Sequence, residues 1–128
     1  MTSSPSKDST LEFFVKASNK HEFSLDITLN VNGSVVTGTI ISAHEYFEMV
    51  SETFEDGNEI AQKISEGLAK ASESAKNSSQ ESDIGFIHLK NTRIYNGDGK
   101  GTPSKGDILW RGKLDQVDGF FLGRISEG

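Results

Sequence analysis

The 128-residue sequence has no cysteine, two prolines and one tryptophan. The absence of cysteine excludes disulfides, thiolate nucleophiles and cysteine-based zinc sites. No apolar run approaches the roughly 20 residues that a membrane-spanning helix needs. The first ten residues are rich in serine and lack the apolar segment of a signal peptide. These absences predict a soluble cytoplasmic protein without a membrane partner.

Motifs for catalysis and for metal binding are missing as well. The sequence has three histidines: His21, His44 and His88. No two of them have the spacing of a metal site. The loop over 96–107 is rich in glycine, but Gly101 follows Lys100, so the phosphate-binding pattern G-x-x-x-x-G-K-[ST] fails. No serine-hydrolase motif G-x-S-x-G occurs. The sequence therefore predicts no enzyme, no metal and no cofactor.

Acidic residues are concentrated in the middle of the sequence. The formal net charge is −6, from 13 basic and 19 acidic residues. Residues 42–83 hold ten of the acids and three lysines, a net charge of −7, while the remainder carries +1. Binding to a phosphate backbone requires a basic face, so nucleic acid is not an expected partner. The acidic segment is interpreted as a solvated face.

Hydrophobic periodicity divides the sequence into an N-terminal tail and one folded domain. Residues 1–7 are predicted to form a disordered tail and residues 8–128 a single domain. The domain is predicted to contain, in order, a helix over 9–20, strands over 23–42, a helical insertion over 43–83 and strands over 84–125. This order predicts an α+β fold.

Local signals define the first helix and the hairpin after it. Ser9 and Glu12 form a capping box that starts the helix. Residues 32–33 are Asn-Gly, the preferred two-residue type I′ turn, in which both positions need positive φ. Gly38, in the middle of the return strand, indicates a bend or bulge. Since strong bending closes small barrels, the predicted sheet is a strongly bent, five-stranded antiparallel barrel.

The insertion is predicted to be helical in two parts. Ser42 and Glu45 form a second capping box that starts the first part, and residues 56–58 interrupt it. The second part carries a thin apolar seam at three- and four-residue spacing: Ala61, Ile64, Leu68, Ala71 and Ala75. Residues 72–83 consist mainly of small polar and charged side chains, which indicates a frayed helix or a linker.

The last two predicted strands, over 108–114 and 120–125, carry three large aromatic residues near turns. Phe120 and Phe121 are adjacent and must point to opposite faces of their strand. One of the two therefore meets another element, another subunit or solvent, and exposed apolar residues often mark interaction sites. Together with the helical seam, the candidate interaction residues are Ile64, Leu68, Ala71, Trp110, Phe120 and Phe121.

The run from Leu11 to Ser42 resembles the opening of Sm-like proteins, with a short helix, a strand, an Asn-Gly turn and a strand containing Gly38 and Ile40. The resemblance implies a small barrel that often forms rings. The second Sm-type motif has no clear counterpart in 84–125, so RNA binding does not carry over. An RNA-binding module is an alternative only if a local basic face forms from Lys90, Arg93, Lys100, Lys105, Arg111 and Lys113.

A resemblance over nearly the whole sequence is to the gas vesicle accessory proteins of the GvpU type. It rests on "SKDSTLEFFVKASNKHEFSLDITLNVNGSVVTGTIISAHEYFE", "FIHLKNTRIYNGDGKGTPSKG" and "LWRGKLDQVDGFFLGRIS". The resemblance implies a cytoplasmic, gas vesicle-associated protein and transfers no active site. Together with the absence of catalytic motifs and the apolar seam on the insertion, it motivates the hypothesis of a homo-oligomer that binds the vesicle shell or other gas vesicle proteins and promotes vesicle assembly or clustering. The alternative is a chaperone-like binder of the hydrophobic shell subunit, acting through Tyr46, Phe47, Val50 and Phe54.

Overall fold

The computed structural model describes residues 8–77, 85–97, 100–103 and 106–125. In sequence order its elements are α1 (Ser9–His21), β1 (Leu25–Val31), β2 (Ser34–Ile41), α2 (Ala43–Thr53), α3 (Glu59–Asn77), β3 (Phe86–Tyr95), β4 (Gly101–Thr102), β5 (Trp110–Lys113), a short 3-10 helix (Leu114–Gln116) and β6 (Val117–Leu122). The predicted α+β class is confirmed. The tail predicted over 1–7 lies outside the described residues.

Helix α1 is capped by Asp8 and not by Ser9, the residue that the sequence pattern favoured. The Asp8 carboxylate accepts hydrogen bonds from the backbone N–H groups of Thr10 at 2.8 Å and Leu11 at 3.2 Å. A carboxylate suits this position because it satisfies orphan donors and interacts favourably with the helix dipole. The helix then buries Leu11 and Val15 against the sheet.

The β1–β2 hairpin turns where the Asn-Gly pair predicts. Asn32 has φ of 51° and Gly33 has φ of 89°, the positive values that a type I′ turn needs. The register between β2 and β3 shifts between Thr37 and Thr39, so Gly38 forms the predicted irregularity. A Cβ atom at Gly38 would lie 3.0 Å from the carbonyl oxygen of Lys90. Glycine therefore allows the close approach of two backbones at this point.

The strands form one antiparallel sheet, ordered β4-β3-β2-β1-β6, with β5 paired to β3. It differs from the predicted five-stranded barrel in two ways: the described residues form six strands, and the sheet is not closed. The additional strand, β4, lies in the segment 96–107 that the sequence predicted as a loop, and it pairs with the end of β3. Strands β5 and β6 lie at opposite ends of the sheet and are not paired with each other.

The connection between β5 and β6 requires the sheet to curve. A flat sheet would hold two strands separated by three others about 19 Å apart. The Cα atoms of Lys113 and Val117 lie only four residues apart, so the backbone between them spans at most about 14 Å. The sheet is therefore strongly bent, although hydrogen bonds do not close it.

The hydrophobic core lies on one side of this sheet, where α1 and the 3-10 helix also contribute. Its buried members are Leu11, Val15, Ile27, Leu29, Val36, Ile40, Ile87, Leu89, Leu114 and Val117. The alternation along the hairpin places Ile27 and Leu29 of β1 and Val36 and Ile40 of β2 in this core.

The segment that follows β6, residues 123–125, crosses the other face of the sheet. Strand β6 ends at Leu122, short of the predicted strand end at Ile125. Beyond it, the Thr28 hydroxyl donates to the Gly123 carbonyl at 2.8 Å, and the Ile125 N–H donates to the Thr37 hydroxyl at 3.0 Å. These contacts bury both threonines, so this part of the outer face is covered.

The helical insertion has the predicted break. The Ser42 hydroxyl caps α2 by accepting from the Glu45 N–H at 3.0 Å, and the backbone leaves the helix before residues 56–58. Helix α3 remains regular to Asn77, further than the predicted onset of fraying at Ser72. The rest of that predicted linker, 78–83, lies outside the described residues.

Helices α2 and α3 pack on each other through polar contacts. The Ser51 hydroxyl donates to the Ser65 carbonyl at 3.0 Å, and the Ser65 hydroxyl donates to the Ser51 carbonyl at 2.9 Å. Further from the loop, the Ser72 hydroxyl lies 2.7 Å from Nδ1 of His44. Because these buried groups must stay paired, they fix how α3 is rotated against α2.

Candidate functional site

The structure places the six predicted interaction residues in three separate regions. Ile64, Leu68 and Ala71 lie on α3, Trp110 on β5, and Phe120 and Phe121 on β6. Helix α3 packs chiefly on α2, and β5 and β6 are at opposite ends of the sheet. The three residues on α3 therefore lie on the helical hairpin, apart from the three aromatic residues on the sheet.

Strand β6 presents an apolar edge, which we call the β6 edge (Val117–Leu122). Phe120 packs against the core, with its ring 6.3 Å from that of Phe14. Phe121 points the other way and is 54% exposed, and Leu122 is 51% exposed. Among the described strands β6 pairs only with β1, so its outer backbone groups have no strand partner there. An edge of this kind can accept a strand from another molecule.

A shallow groove of about 270 Å³ lies beside Phe121 on the outer face of the sheet. Val35 and Phe121 provide apolar walls, and Thr28 and Asn30 provide polar groups. A Cβ atom at Gly119 would meet no atom within 4 Å, so the groove is open along β6. It has room for a side chain of a partner strand that pairs with the β6 edge.

Trp110 packs within the fold and is not an exposed contact residue. It is half-buried against the core, and its ring covers Gly112. A Cβ atom built on Gly112 would lie 2.3 Å from the Trp110 ring, so a side chain there would have to displace the ring. Trp110 and Phe120 therefore contribute to the core, and Phe121 is the most exposed of the three aromatic residues.

The apolar seam on α3 lies beside the contact with α2. That contact is centred on Ser65 and Ser72, while Ile64 is 44% exposed. Ile60, which the predicted seam did not include, is 69% exposed and lies four residues before Ile64 on the same helix face. The result is an apolar stripe on the outside of the helical hairpin, with Leu68 half-buried at its border.

A cluster around Arg111 joins α2 to the sheet. The Arg111 Nε–H donates to Nε2 of His88 at 3.1 Å. The guanidinium carbon lies 3.7 Å from the ring centre of Phe86 and 5.6 Å from that of Phe47 on α2. The Tyr46 ring, also on α2, lies 4.6 Å from the imidazole of His88. We call these five residues the Arg111 cluster.

His88 is neutral in this cluster at neutral pH. Burial, followed by the positive charge of Arg111, lowers the pKa of His88 from 6.5 to about 3. Since the neutral imidazole accepts at Nε2, its proton is on Nδ1. The sequence contains no local signal for this pair, because His88 and Arg111 meet only through the register of β3 and β5.

Two cations of the predicted basic face, Lys90 and Arg93, make contacts within the fold. Lys90 forms an ion pair with Glu45 at 3.4 Å. Arg93 donates to the carbonyl of Gly106 at 2.8 Å and to that of Thr92 at 2.9 Å. The structure thus gives these two cations bonding partners of their own.

Neither a metal-binding cluster nor a membrane-spanning helix occurs in the part of the protein that the structure describes. No group of three or more histidine, aspartate or glutamate residues there could hold a metal ion. None of the helices in 8–77 and the later described segments is both long and apolar enough to cross a membrane.

The fold and these surfaces define an α+β protein with an open antiparallel sheet, an exposed edge strand and an acidic helical hairpin. Residues 8–125 match the family model described as gas vesicle protein GvpU-like. The match covers nearly the entire sequence, so the protein belongs to the GvpU-like family, as the sequence resemblance indicated. This family relates it to gas vesicles and is not a known enzyme family. No curated protein and no solved structure matches the sequence.

Proposed function

We propose that this protein is a non-enzymatic gas vesicle accessory protein of the cytoplasm that self-associates and binds gas vesicle proteins or shells. In this role it promotes vesicle assembly or clustering. The observation that carries the proposal is the β6 edge, which has no second partner among the described strands and carries the exposed side chains of Phe121 and Leu122. Main-chain pairing to such an edge supplies affinity, and adjacent side-chain grooves supply specificity.

An Sm-like architecture is part of the proposal. Its support is the order β5-β3-β2-β1-β6, the three-residue connection between the two end strands, and a helix over the core. In a fold of this shape, the β6 edge of one subunit and the β5 edge of the next are available for pairing. Repetition of such a head-to-tail contact gives a ring or a filament.

Self-association gives each assembly many copies of any vesicle-binding surface. Linking weak sites raises overall binding by about 10² to 10⁴ when the sites can be engaged together. An assembly with several such sites also bridges neighbouring vesicles, and clustering follows from this bridging. We assign the contact with a vesicle protein to Ile60 and Ile64 on α3, because these apolar side chains are exposed on the surface.

The same pair of isoleucines supports the second candidate function, a chaperone-like binder of the hydrophobic shell subunit. The stripe favoured by the sequence for that role is half-buried, and Tyr46 and Phe47 pack on His88. A chaperone role would therefore use Ile60 and Ile64. A soluble complex with the subunit, together with no binding to finished shells, would favour this function.

The substitution Phe121→Lys is expected to disrupt self-association. It removes about 1.5–3 kcal/mol of apolar burial at a contact and places a charge on an edge strand, which natural proteins use to prevent pairing. The dissociation constant between subunits should rise by at least about tenfold. Light scattering coupled to size-exclusion chromatography over a concentration series measures this constant.

Phe13→Lys is the matched control, because Phe13 is also exposed, at 65%, but lies on α1. It should leave the association constant within about twofold of the wild type. A wild-type protein that is monomeric at all concentrations would contradict the proposal. So would equal association of the wild type and Phe121→Lys.

A further inference from the structure

We propose that Arg111 is a preorganised receptor for a single carboxylate of a partner protein, bound by the outward edge of its guanidinium group. Arg111 is solvent-exposed, whereas His88 is buried and Phe47 and Phe86 are half-buried. This site goes beyond the proposed function, since it requires neither self-association nor vesicle binding.

The geometry of the guanidinium group leaves one edge available. Nε donates to His88, and the ring of Phe86 covers one planar face at 3.7 Å. Within the described residues, Nη1 and Nη2 of Arg111 donate to no protein atom, and no carboxylate lies within ion-pair distance of them. These two nitrogens form the fork that matches the two oxygens of a carboxylate.

The identity of the group that orients Arg111 favours a receptor over a structural ion pair. Arginine in a purely structural role is commonly held by aspartate or glutamate, which neutralises it. Here a neutral, buried imidazole fixes the orientation of the guanidinium, and no carboxylate of the described residues neutralises its charge. Because the aromatic rings and His88 already restrict the side chain, little further conformational freedom is lost when a carboxylate binds.

The surroundings limit the kind of partner. Lys113 is two residues away on the same face of β5 and is exposed, so the local potential is positive. The whole protein carries −6, and α2 beside the site is acidic, so a polyanion would be repelled at longer range. A carboxylate from the C-terminus of a partner protein or from one of its acidic side chains fits both conditions.

The test follows the side-chain Nε–H signal of Arg111 by proton–nitrogen NMR at constant ionic strength. Two probes represent the two sources: N-acetylglycine for a C-terminal carboxylate and N-acetylaspartate amide for an acidic side chain. Inorganic phosphate and chloride are titrated separately. We expect a saturable shift with one or both carboxylate probes and only a small, linear shift with chloride.

The decisive variants are Arg111→Lys and Lys113→Gln. Arg111→Lys keeps the charge and loses the fork, and it should weaken probe binding by about tenfold or more. Its binding is followed by backbone amide shifts, because the Nε–H signal is lost. Lys113→Gln removes one charge from the same strand face and should weaken binding less than about threefold. Thermal unfolding of each variant establishes that it is folded.

We assign His88 as the residue that positions the Arg111 guanidinium. Two variants of His88 distinguish an effect on this orientation from an effect on folding. His88→Gln retains an acceptor for Nε and should bind the probe nearly as well as the wild type. His88→Leu has no acceptor and should bind more weakly. The proposal is overturned by the absence of a saturable carboxylate shift, by phosphate binding as tightly as the carboxylates, or by equal losses in Arg111→Lys and Lys113→Gln.

Discussion

Acidification from pH 7 to pH 5 is expected to lower the free energy of unfolding by about 2 kcal/mol through His88 alone. The pKa of His88 is lowered from 6.5 to about 3 in the folded protein, by burial and then by Arg111. Between these two values the unfolded protein binds a proton at His88 and the folded protein does not. Stability from this residue is therefore complete above pH 6.5 and declines as the pH falls towards 3.

The loss of stability at low pH should begin with local opening of the contact between α2 and the sheet. A protonated His88 can no longer accept from Arg111, and two positive charges would face each other 3.1 Å apart. The charged and titratable groups that contact His88 are Arg111 on β5 and Tyr46 on α2. The ion pair between Lys90 on β3 and Glu45 on α2 is a second contact between α2 and the sheet. Release of α2 relieves the repulsion, because the Arg111 cluster is an important part of its attachment.

Urea unfolding of the wild type and His88→Gln at pH 7, 6 and 5 tests this prediction. The variant keeps an acceptor for Arg111 and does not titrate, so the difference between the two proteins isolates His88 from the carboxylates. His21→Gln is the control, since His21 is exposed at the end of α1. Parallel pH profiles for the wild type and His88→Gln would contradict the account.

Leu114→Ala is expected to destabilise the fold by about 3 kcal/mol, within the range of about 2–5 kcal/mol typical of buried leucine truncations. Leu114 is fully buried and belongs to the 3-10 helix that connects the two ends of the sheet. Its N–H also donates to the Gly85 carbonyl at 2.9 Å. The truncation leaves a cavity at the point where the sheet bends, and this turn has little freedom to collapse into it.

Denaturant unfolding at pH 7 measures the effect, and Ile60→Ala provides the control. Ile60 is 69% exposed, so loss of its apolar atoms should change the free energy of unfolding by less than about 0.5 kcal/mol. A loss below about 1 kcal/mol for Leu114→Ala would show that this turn does not hold the sheet in its bent form.

Local chemistry made much of the fold predictable. The Asn-Gly turn, the irregularity at Gly38 and the break at residues 56–58 each depend on backbone preferences that neighbouring residues express directly. The family, too, was recognisable from the sequence, because the resemblance covers most of its length.

Features that depend on distant parts of the sequence could not be derived in this way. Strand β4 has two residues and exists because it pairs with the end of β3. The serines that join α2 and α3 occupy positions where periodicity favours apolar residues, so the seam was predicted beside the real contact. Adjacent positions required Phe120 and Phe121 to face opposite ways, but only the fold identifies Phe121 as the exposed one. The pairing of His88 with Arg111 likewise requires the sheet register.

Flotation tests the central claim most directly. Labelled protein is mixed with buoyant gas vesicles and centrifuged gently, and label is measured in the floating layer while the same tube is examined by microscopy. The account predicts that wild-type protein rises with the vesicles and clusters them, and that Phe121→Lys clusters them much less. Label that remains below the vesicles would contradict binding to finished shells and would favour the chaperone-like function.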